Sequence, residues 1–295
     1  MSRLSKILVT IFLILSVYIG IENSQQWFAK QQLLNPISQI KKKNIDAIII
    51  SDPKQFQELQ LIKKTDGWYS DGIPVDPLKL DYLFTVLKIL EKRSLIATRK
   101  ENYHKFGLDI KQATEIRYMQ EGKVKFRFKI GQRAQRLNSC YILFPDEKVY
   151  LLDTALSEYI TTDKTYYWDL NIQRLNKHEI KEIHINAIKN KKKIFLTKNN
   201  TWITKDGIAS SHKYTHSLDK LLMLKASGIK HKNKKSFRRY HLFPPQRMIE
   251  IYLKSGHHII LVVGAKENDQ YKVLDLSKET YIYDLPSGDI ETLFR

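Results

Sequence analysis

Histidines offer the first candidate chemistry. His212 and His216 stand four residues apart, a spacing that puts two imidazoles on one helical face, and Asp219 follows closely enough to be a third ligand of a metal ion. The first histidine lacks the glutamate neighbour of a metalloprotease helix, and the segment reads as a helix entry. Solvated polar residues are the plainer reading, and no metal is assigned. His257 and His258 are adjacent, which on a strand turns them to opposite faces; they read as part of a hairpin turn after Gly256. Ser-x-x-Lys strings, among them Ser51 to Lys54 and Ser217 to Lys220, have the spacing of a nucleophile and its base. Their companion Ser-x-Asn and Lys-Thr-Gly elements are missing, and Pro53 interrupts the first. The sequence holds no Gly-x-Ser-x-Gly elbow, phosphate loop or dinucleotide glycine fingerprint. Trp68 and Trp202 could stack on a sugar or base, but large rings at repeated positions suit a core. No catalytic residue and no cofactor is assigned, and the expectation is a protein that is not an enzyme. A hydrolase of the cell envelope is the reading these histidines and carboxylates leave open.

Charge carries more information. The 295 residues hold 50 lysines and arginines against 31 acidic residues, a net of +19, and the excess is uneven. Ile45 to Leu170 holds 20 basic and 18 acidic residues, whereas Asn171 to Arg295 holds 24 and 12. Between Lys189 and Arg239 stand 15 basic residues with only Asp206 and Asp219. Two runs dominate, Lys191, Lys192, Lys193 and Lys232, Lys234, Lys235, Arg238, Arg239. Both read as loops, and a fold that joined them would make one positive face for an anionic lipid, an acidic glycan or an acidic partner subunit. Basic charge alone would also suit nucleic acid.

The elements that must position these residues begin with the one long apolar run, Ile7 to Ile21. Arg3 and Lys6 precede it and Glu22 follows, which holds the N-terminus in the cytoplasm and sends the rest across. Its fifteen residues rise about 22 Å as helix, short of a ~30 Å hydrocarbon core, so Leu4, Lys6 and the following turn must help. Trp27 and Phe28 are placed as interfacial anchors. A cleaved secretory signal, with Val17 and Gly20 as small residues near the cut, is the competing reading. The expected location is a bacterial cytoplasmic membrane, crossed once, with the bulk of the chain outside the cytoplasm. Nucleic acid is therefore not an expected partner. Residues 1–21 read as the anchor and 22–44 as a polar stalk broken at Asn35-Pro36. Cys140 is the single cysteine, so stability must come from packing.

Past the stalk the chain repeats itself. Leu61-Ile62, Trp68 and Asp71-Gly72-Ile73 recur as Phe195-Leu196, Trp202 and Asp206-Gly207-Ile208. Tyr103, Phe106 and Leu108 fall on Phe237, Tyr240 and Leu242, Gly131 on Gly264, and Tyr150 and Asp153 on Tyr281 and Asp284. A period this long predicts a duplicated domain and not a solenoid. In the first copy, Ile45 to Ser51 reads as a strand. Leu59 to Lys64 with Gly67 to Ser70, Ile116 to Met119 with Val124 to Ile130, and Tyr141 to Phe144 with Val149 to Leu152 read as hairpins. Asp76 caps a helix opened by Pro77, with Leu80, Leu83, Phe84, Leu87 and Leu90 on its buried face. The second copy has the same plan, with Leu218, Leu221, Leu222 and Met223 on its helix and a strand Ile259 to Val263 buried on both faces. The predicted class is α+β: a transmembrane helix followed by two similar antiparallel-sheet lobes, residues 45–170 and a basic 171–295.

Several of these features, in order, resemble the domain of unknown function 4340 family. They are the single N-terminal anchor, the Gly67-Trp68 hairpin, the helix at Asp76-Pro77, the Phe106-Gly107-Leu108-Asp109 turn, the strand ending Ile130-Gly131, and Val149-Tyr150. The resemblance covers most of Ile45 to Asp169 and, more faintly, the second copy, where His241 replaces the glycine of the turn. It implies a membrane-tethered protein encoded beside gliding-type ABC transporters, and so a non-enzymatic accessory subunit of a transport or envelope assembly. It carries over no catalytic residue.

Overall fold

The computed structural model describes residues 37, 40–136, 138–188, 190–197, 199, 201–205, 212–278 and 280–294. The apolar run Ile7 to Ile21, the stalk up to Pro36 and Asp206-Gly207-Ile208 lie outside them. The chain divides into two compact units, the first ending at Trp168 and the second beginning at Asp169. Each is built mostly of antiparallel sheet.

The first unit runs β1 (Ala47–Asp52), β2 (Gln57–Lys63), β3 (Trp68–Ser70), β4 (Ile73–Pro74), α1 (Pro77–Ile89) and β5 (Arg93–Ala97). A 3-10 segment Lys100–Phe106 follows, then β6 (Thr114–Gln120), β7 (Lys123–Arg133), β8 (Cys140–Leu143), β9 (Val149–Leu152) and a short α2 (Lys164–Tyr167). The sheet order is β4-β3-β2-β1-β6-β7-β8-β9-β5. The cap works as expected: the Asp76 side chain accepts from Leu78 N at 2.9 Å with Pro77 at the first helical position. Alternation then decides the faces. Ile48 and Ile50 of β1, Ile116 and Tyr118 of β6, and Phe126, Phe128 and Ile130 of β7 turn inward onto Leu80, Leu83, Val86 and Leu87 of α1. Tyr118 Oη donates to Leu83 O at 2.6 Å, tying sheet to helix within that core. Past the helix, Arg93 to Ala97 form the edge strand β5, and Val124 is exposed near the start of β7.

The second unit runs β10 (Ile180–Ala187), β11 (Asn190–Leu196), β12 (Trp202–Thr204), α3 (His212–Leu222), β13 (Gly228–His231) and α4 (Lys234–Arg239). It continues with β14 (Arg247–Leu253), β15 (His258–Glu267), β16 (Gln270–Asp275), β17 (Tyr281–Pro286) and α5 (Ser287–Phe294). Its sheet order is β12-β11-β10-β14-β15-β16-β17-β13. Ile183, Ile185, Ile249, Ile251 and Leu261 are buried on one face of the strands, as are Leu218, Leu221 and Leu222 of α3 and Ile290 and Leu293 of α5. Met223 is 75% exposed and is not part of the helix's buried face. Leu261, Val262 and Val263 are all buried, so β15 is covered on both faces at that point, as its continuous apolar run predicts.

Leaving β4 aside, the two strand orders correspond one for one. The ladders correspond position by position as well. Ile48 pairs with Leu61 and Tyr118, and Ile183 with Ile194 and Ile251; Ile116 pairs with Phe128, and Ile249 with Leu261. This register corrects three of the sequence pairings. Leu61-Ile62 falls on Ile194-Phe195, not Phe195-Leu196, because the turn after β11 is a residue longer than the one after β2. Tyr150 falls on Tyr283, not Tyr281, and Leu151, not Asp153, falls on Asp284, because the turn after β16 is two residues longer than the one after β8. Both Tyr150 and Tyr283 are buried, which raises their hydroxyls above the ordinary tyrosine range.

A turn across the outer face of each sheet completes the plan. In the first unit Gly107, at φ 64°, donates its N–H to His104 O at 3.2 Å, and Leu108 N donates to Tyr103 O at 2.9 Å. In the second His241, at φ 53°, donates to Arg238 O at 3.2 Å, and Leu242 N to Phe237 O at 3.0 Å. Each turn lies so close to the sheet that a Cβ on Gly131 would come within 2.2 Å of Phe106 O, and one on Gly264 within 2.1 Å of Tyr240 O. Only glycine fits there.

Candidate functional site

All but one of the basic residues singled out by charge lie in strand or helix and not in loops. Lys191, Lys192 and Lys193 are on β11, and Lys234, Lys235, Arg238 and Arg239 form most of α4, with Lys232 just before it. The first run has a strand's two faces: Lys191 and Lys193 are exposed, while the Lys192 ammonium lies over the Tyr214 ring at 4.9 Å. The second run is anchored by its aromatic neighbours. Phe237, Tyr240 and Leu242 pack on Val262, Leu274 and Ile282 of β15, β16 and β17. Lys232 sits 4.8 Å from the Phe237 ring, and Arg239 lies 5.4 Å from the Tyr240 ring and 3.9 Å from Glu267. From β11 to the strands under α4 is three to five strand spacings, roughly 14–24 Å. The two runs are therefore two basic patches on one sheet, not one merged face.

Between them the outer face of the second sheet carries a polar cluster that charge counting missed. His184 of β10 stands with Nε2 3.4 Å from Glu182 and Nδ1 3.5 Å from Glu250 of β14. Tyr252 donates its hydroxyl to Glu250 at 2.9 Å, and its ring lies 4.6 Å from His184 and stacks on His258 at 4.2 Å and 14°. Alternation along β10 was the available signal, since Glu182, His184 and Asn186 interleave with Ile183 and Ile185. The first sheet has its own charged cluster on the outer face. Arg117 of β6, opposite Ile49 as Glu250 is opposite His184, reaches Glu58 at 2.6 Å, Glu115 at 3.6 Å and the Ser51 hydroxyl at 2.8 Å. Hydrogen bonds from Gln60, then Ser51 and Arg117, hold the Glu58 carboxyl below its ordinary value despite partial burial.

The other candidate groups have structural partners. Asp219 accepts from Trp202 Nε1 and Lys177 Nζ, each at 2.8 Å; burial raises its carboxyl, but those bonds outweigh it and the net direction is down. Its role is to satisfy the buried indole. Among the described residues no three His, Cys, Asp or Glu side chains come together in a group that could hold a metal ion. The Ser51 hydroxyl donates to Glu58 at 2.9 Å, and Ser217 is buried on α3 while Lys220 is exposed. His257 precedes β15 and His258 opens it. Cys140 is buried, donates to Thr154 O at 3.1 Å, and burial pushes its thiol up to about 11, which keeps it protonated at neutral pH. Trp68 and Trp202 are both buried, as core residues should be.

A buried charge pair lies beneath the α4 turn. The Lys272 ammonium is bound by Asp284, 3.7 Å from Glu267 and 5.4 Å from the Tyr240 ring. In the first unit the same ladder position holds Tyr141, whose ring packs on Phe106 at 4.7 Å. One turn is thus seated on an aromatic pair and the other on an ion pair.

The family described as Domain of unknown function (DUF4340) matches residues 69–245, more than half of the chain. The chain belongs to that family. The match enters at β3, takes in the rest of the first unit and ends past α4, so the family pattern includes both outer-face turns. No curated protein and no solved structure matches the chain.

Proposed function

We propose that this DUF4340 protein is a membrane-tethered, non-enzymatic accessory subunit of an ABC-type transport or envelope assembly, with both units outside the cytoplasm. The observation that carries the reading is the run Ile7 to Ile21 with Arg3 and Lys6 before it and Glu22 after it. Among the described residues no helix is long and apolar enough to cross a membrane, so the tether rests on that run alone. We also read the two units as copies of one ancestral domain, on the strength of the matched strand order, ladder register and outer-face turn. On this reading the units are rigid platforms for partner contact. Lys191 and Lys193, and the exposed Lys235, Arg238 and Arg239, are the contacts offered to an acidic partner. The second reading is docking on anionic lipid or glycan, favoured by two lysines exposed side by side on one strand face. Each basic group near an anionic leaflet contributes about 1 kcal/mol, so tether and patch together would fix the orientation of the second unit.

Mild detergent extraction with a C-terminal affinity tag tests the first reading. Stoichiometric co-purification of transporter membrane subunits is expected. Recovery of the chain free of such subunits, with quantitative retention on anionic vesicles that is lost on Lys191→Glu and Lys193→Glu, would replace it with the second.

A further inference from the structure

The turn across the outer face of the second sheet carries a charge surplus that its counterpart lacks. From Lys232 to Arg247 the sequence has six basic residues and no acidic one. Lys232 and Arg247 are half-buried, the first against the Phe237 ring and the second 5.5 Å from the Tyr271 ring and 5.9 Å from that of Phe294. Lys235, Arg238 and Arg239 are exposed. Glu267 lies 3.9 Å from Arg239 and is shared with Lys272, whereas Lys235 and Arg238 have no acidic partner among the described residues. The equivalent stretch of the first unit, Thr98 to Ala113, has four basic and two acidic residues, and Glu147 takes up Lys100 at 2.7 Å. That turn is near balance; the second is not.

An apolar tip stands beside these cations. Leu242 is buried on the sheet, but the next residue, Phe243, is 73% exposed, and the exposed Pro244 and Pro245 follow it. The turn is pinned from below, because Phe237, Tyr240 and Leu242 pack on Val262, Leu274 and Ile282 while Ala265 N donates to Tyr240 O at 2.7 Å. The ring and the cations are therefore held on one fixed projection, and the ring cannot turn inward without lifting Leu242 out of its contacts. An anionic polymer would satisfy the cations and leave the ring in water. The surface of an anionic leaflet offers charge at the headgroups and hydrocarbon just beneath them, so it matches both.

We propose that the α4 turn docks the second unit on an anionic phospholipid leaflet, with Lys235, Arg238 and Arg239 among the headgroups and the Phe243 ring below them. The inference rests on the lipid form of the second reading above and moves the contact: the α4 turn, not β11, meets the leaflet, which leaves Lys191 and Lys193 to an acidic partner. Ile110, 80% exposed at the tip of the first unit's turn, has no such surplus of charge around it and serves as the internal control.

Site-specific photocrosslinking tests it on the full-length chain reconstituted in vesicles, with Phe243 replaced by p-benzoylphenylalanine. In phosphatidylcholine vesicles containing about one-third phosphatidylglycerol, irradiation is expected to give a chain–phospholipid adduct roughly ten-fold above that in pure phosphatidylcholine. Raising the salt to about 0.5 M, where the Debye length is roughly 4 Å, should cut the adduct about ten-fold, and so should Lys235→Glu with Arg238→Glu. Lys191→Glu with Lys193→Glu should change it by less than about two-fold, and the same probe at Ile110 should be indifferent to lipid charge. Alkaline carbonate extraction of the same vesicles reports the tether separately, since a docked chain forms the adduct whether or not it spans the bilayer. An adduct lost on the Lys191 and Lys193 reversals but not on those of α4 would leave the lipid reading standing and overturn this inference. Absence of a lipid adduct, equal adduct in both kinds of vesicle, or crosslinks to protein in place of lipid would overturn it as well.

Discussion

The two units keep the same strand order and the same ladder register while differing in what stands on the outer faces of their sheets. At the crossing of β1 and β6 the first unit places an arginine between two glutamates, and at the crossing of β10 and β14 the second places a histidine between two glutamates. Under the outer turn, Tyr141 in one becomes Lys272 bound to Asp284 in the other. Inward-facing positions stay apolar in both. The lesson is that the inner face and the glycine under the turn are set by packing, whereas outer-face positions are free to be rebuilt in charge.

Mutations test how far that equivalence reaches. The largest effects belong to the paired tryptophans. Trp202→Ala is expected to cost about 5 kcal/mol, since it removes a fully buried ring and strips Asp219 of a donor, and Trp68→Ala about 3 kcal/mol, with chemical denaturation as the measurement. Equal and near-zero costs would mean that neither ring is core. Gly131→Ala and Gly264→Ala come next, at about 2–3 kcal/mol each, because either Cβ would collide with a backbone carbonyl. A tolerated alanine at one site only would break the correspondence of the turns. His241→Gly should stabilise the second unit by about 1 kcal/mol by relieving its left-handed backbone, while Gly107→Ala should destabilise the first, with its Cβ 2.9 Å from Gln132 N.

Acid gives the smallest effect. Glu58 and Asp219 both titrate below their ordinary values of 4.5 and 3.8. Each therefore adds stability that is complete above the ordinary value and is lost as the pH falls through the lowered one. Glu58→Gln and Asp219→Asn should each lower stability near neutrality and change it little in strong acid, which flattens the acid limb of a stability profile below about pH 4.5. Steepening of that limb would contradict the assigned partners.

Much of this fold was legible because periodicity is a direct image of burial. The Asp76-Pro77 cap, the hairpin of β6 and β7 and the inward tryptophans were readable from residue type and spacing. Strand β5 was not, because Arg93, Ser94, Leu95, Ile96 and Ala97 form an edge with no buried alternation. The lysine runs were misread as loops for a related reason. On β11 three consecutive lysines hide the strand's alternation, and only the structure shows Lys192 turned to Tyr214 while its neighbours face solvent. The outer-face clusters escaped notice because each draws residues from strands 60 or more positions apart in sequence, such as Ser51 with Arg117 and His184 with Glu250. Spacing along a chain carries no such signal.

The central functional claim, that both units stand outside the cytoplasm on one membrane span, is tested most directly by paired reporters fused after Arg295 in the full-length chain. Alkaline phosphatase should be active there and green fluorescent protein dark, because only the outside compartment allows the first to fold and forbids the second. The reverse pattern, fluorescence with inactive phosphatase, would put the units in the cytoplasm and contradict the account.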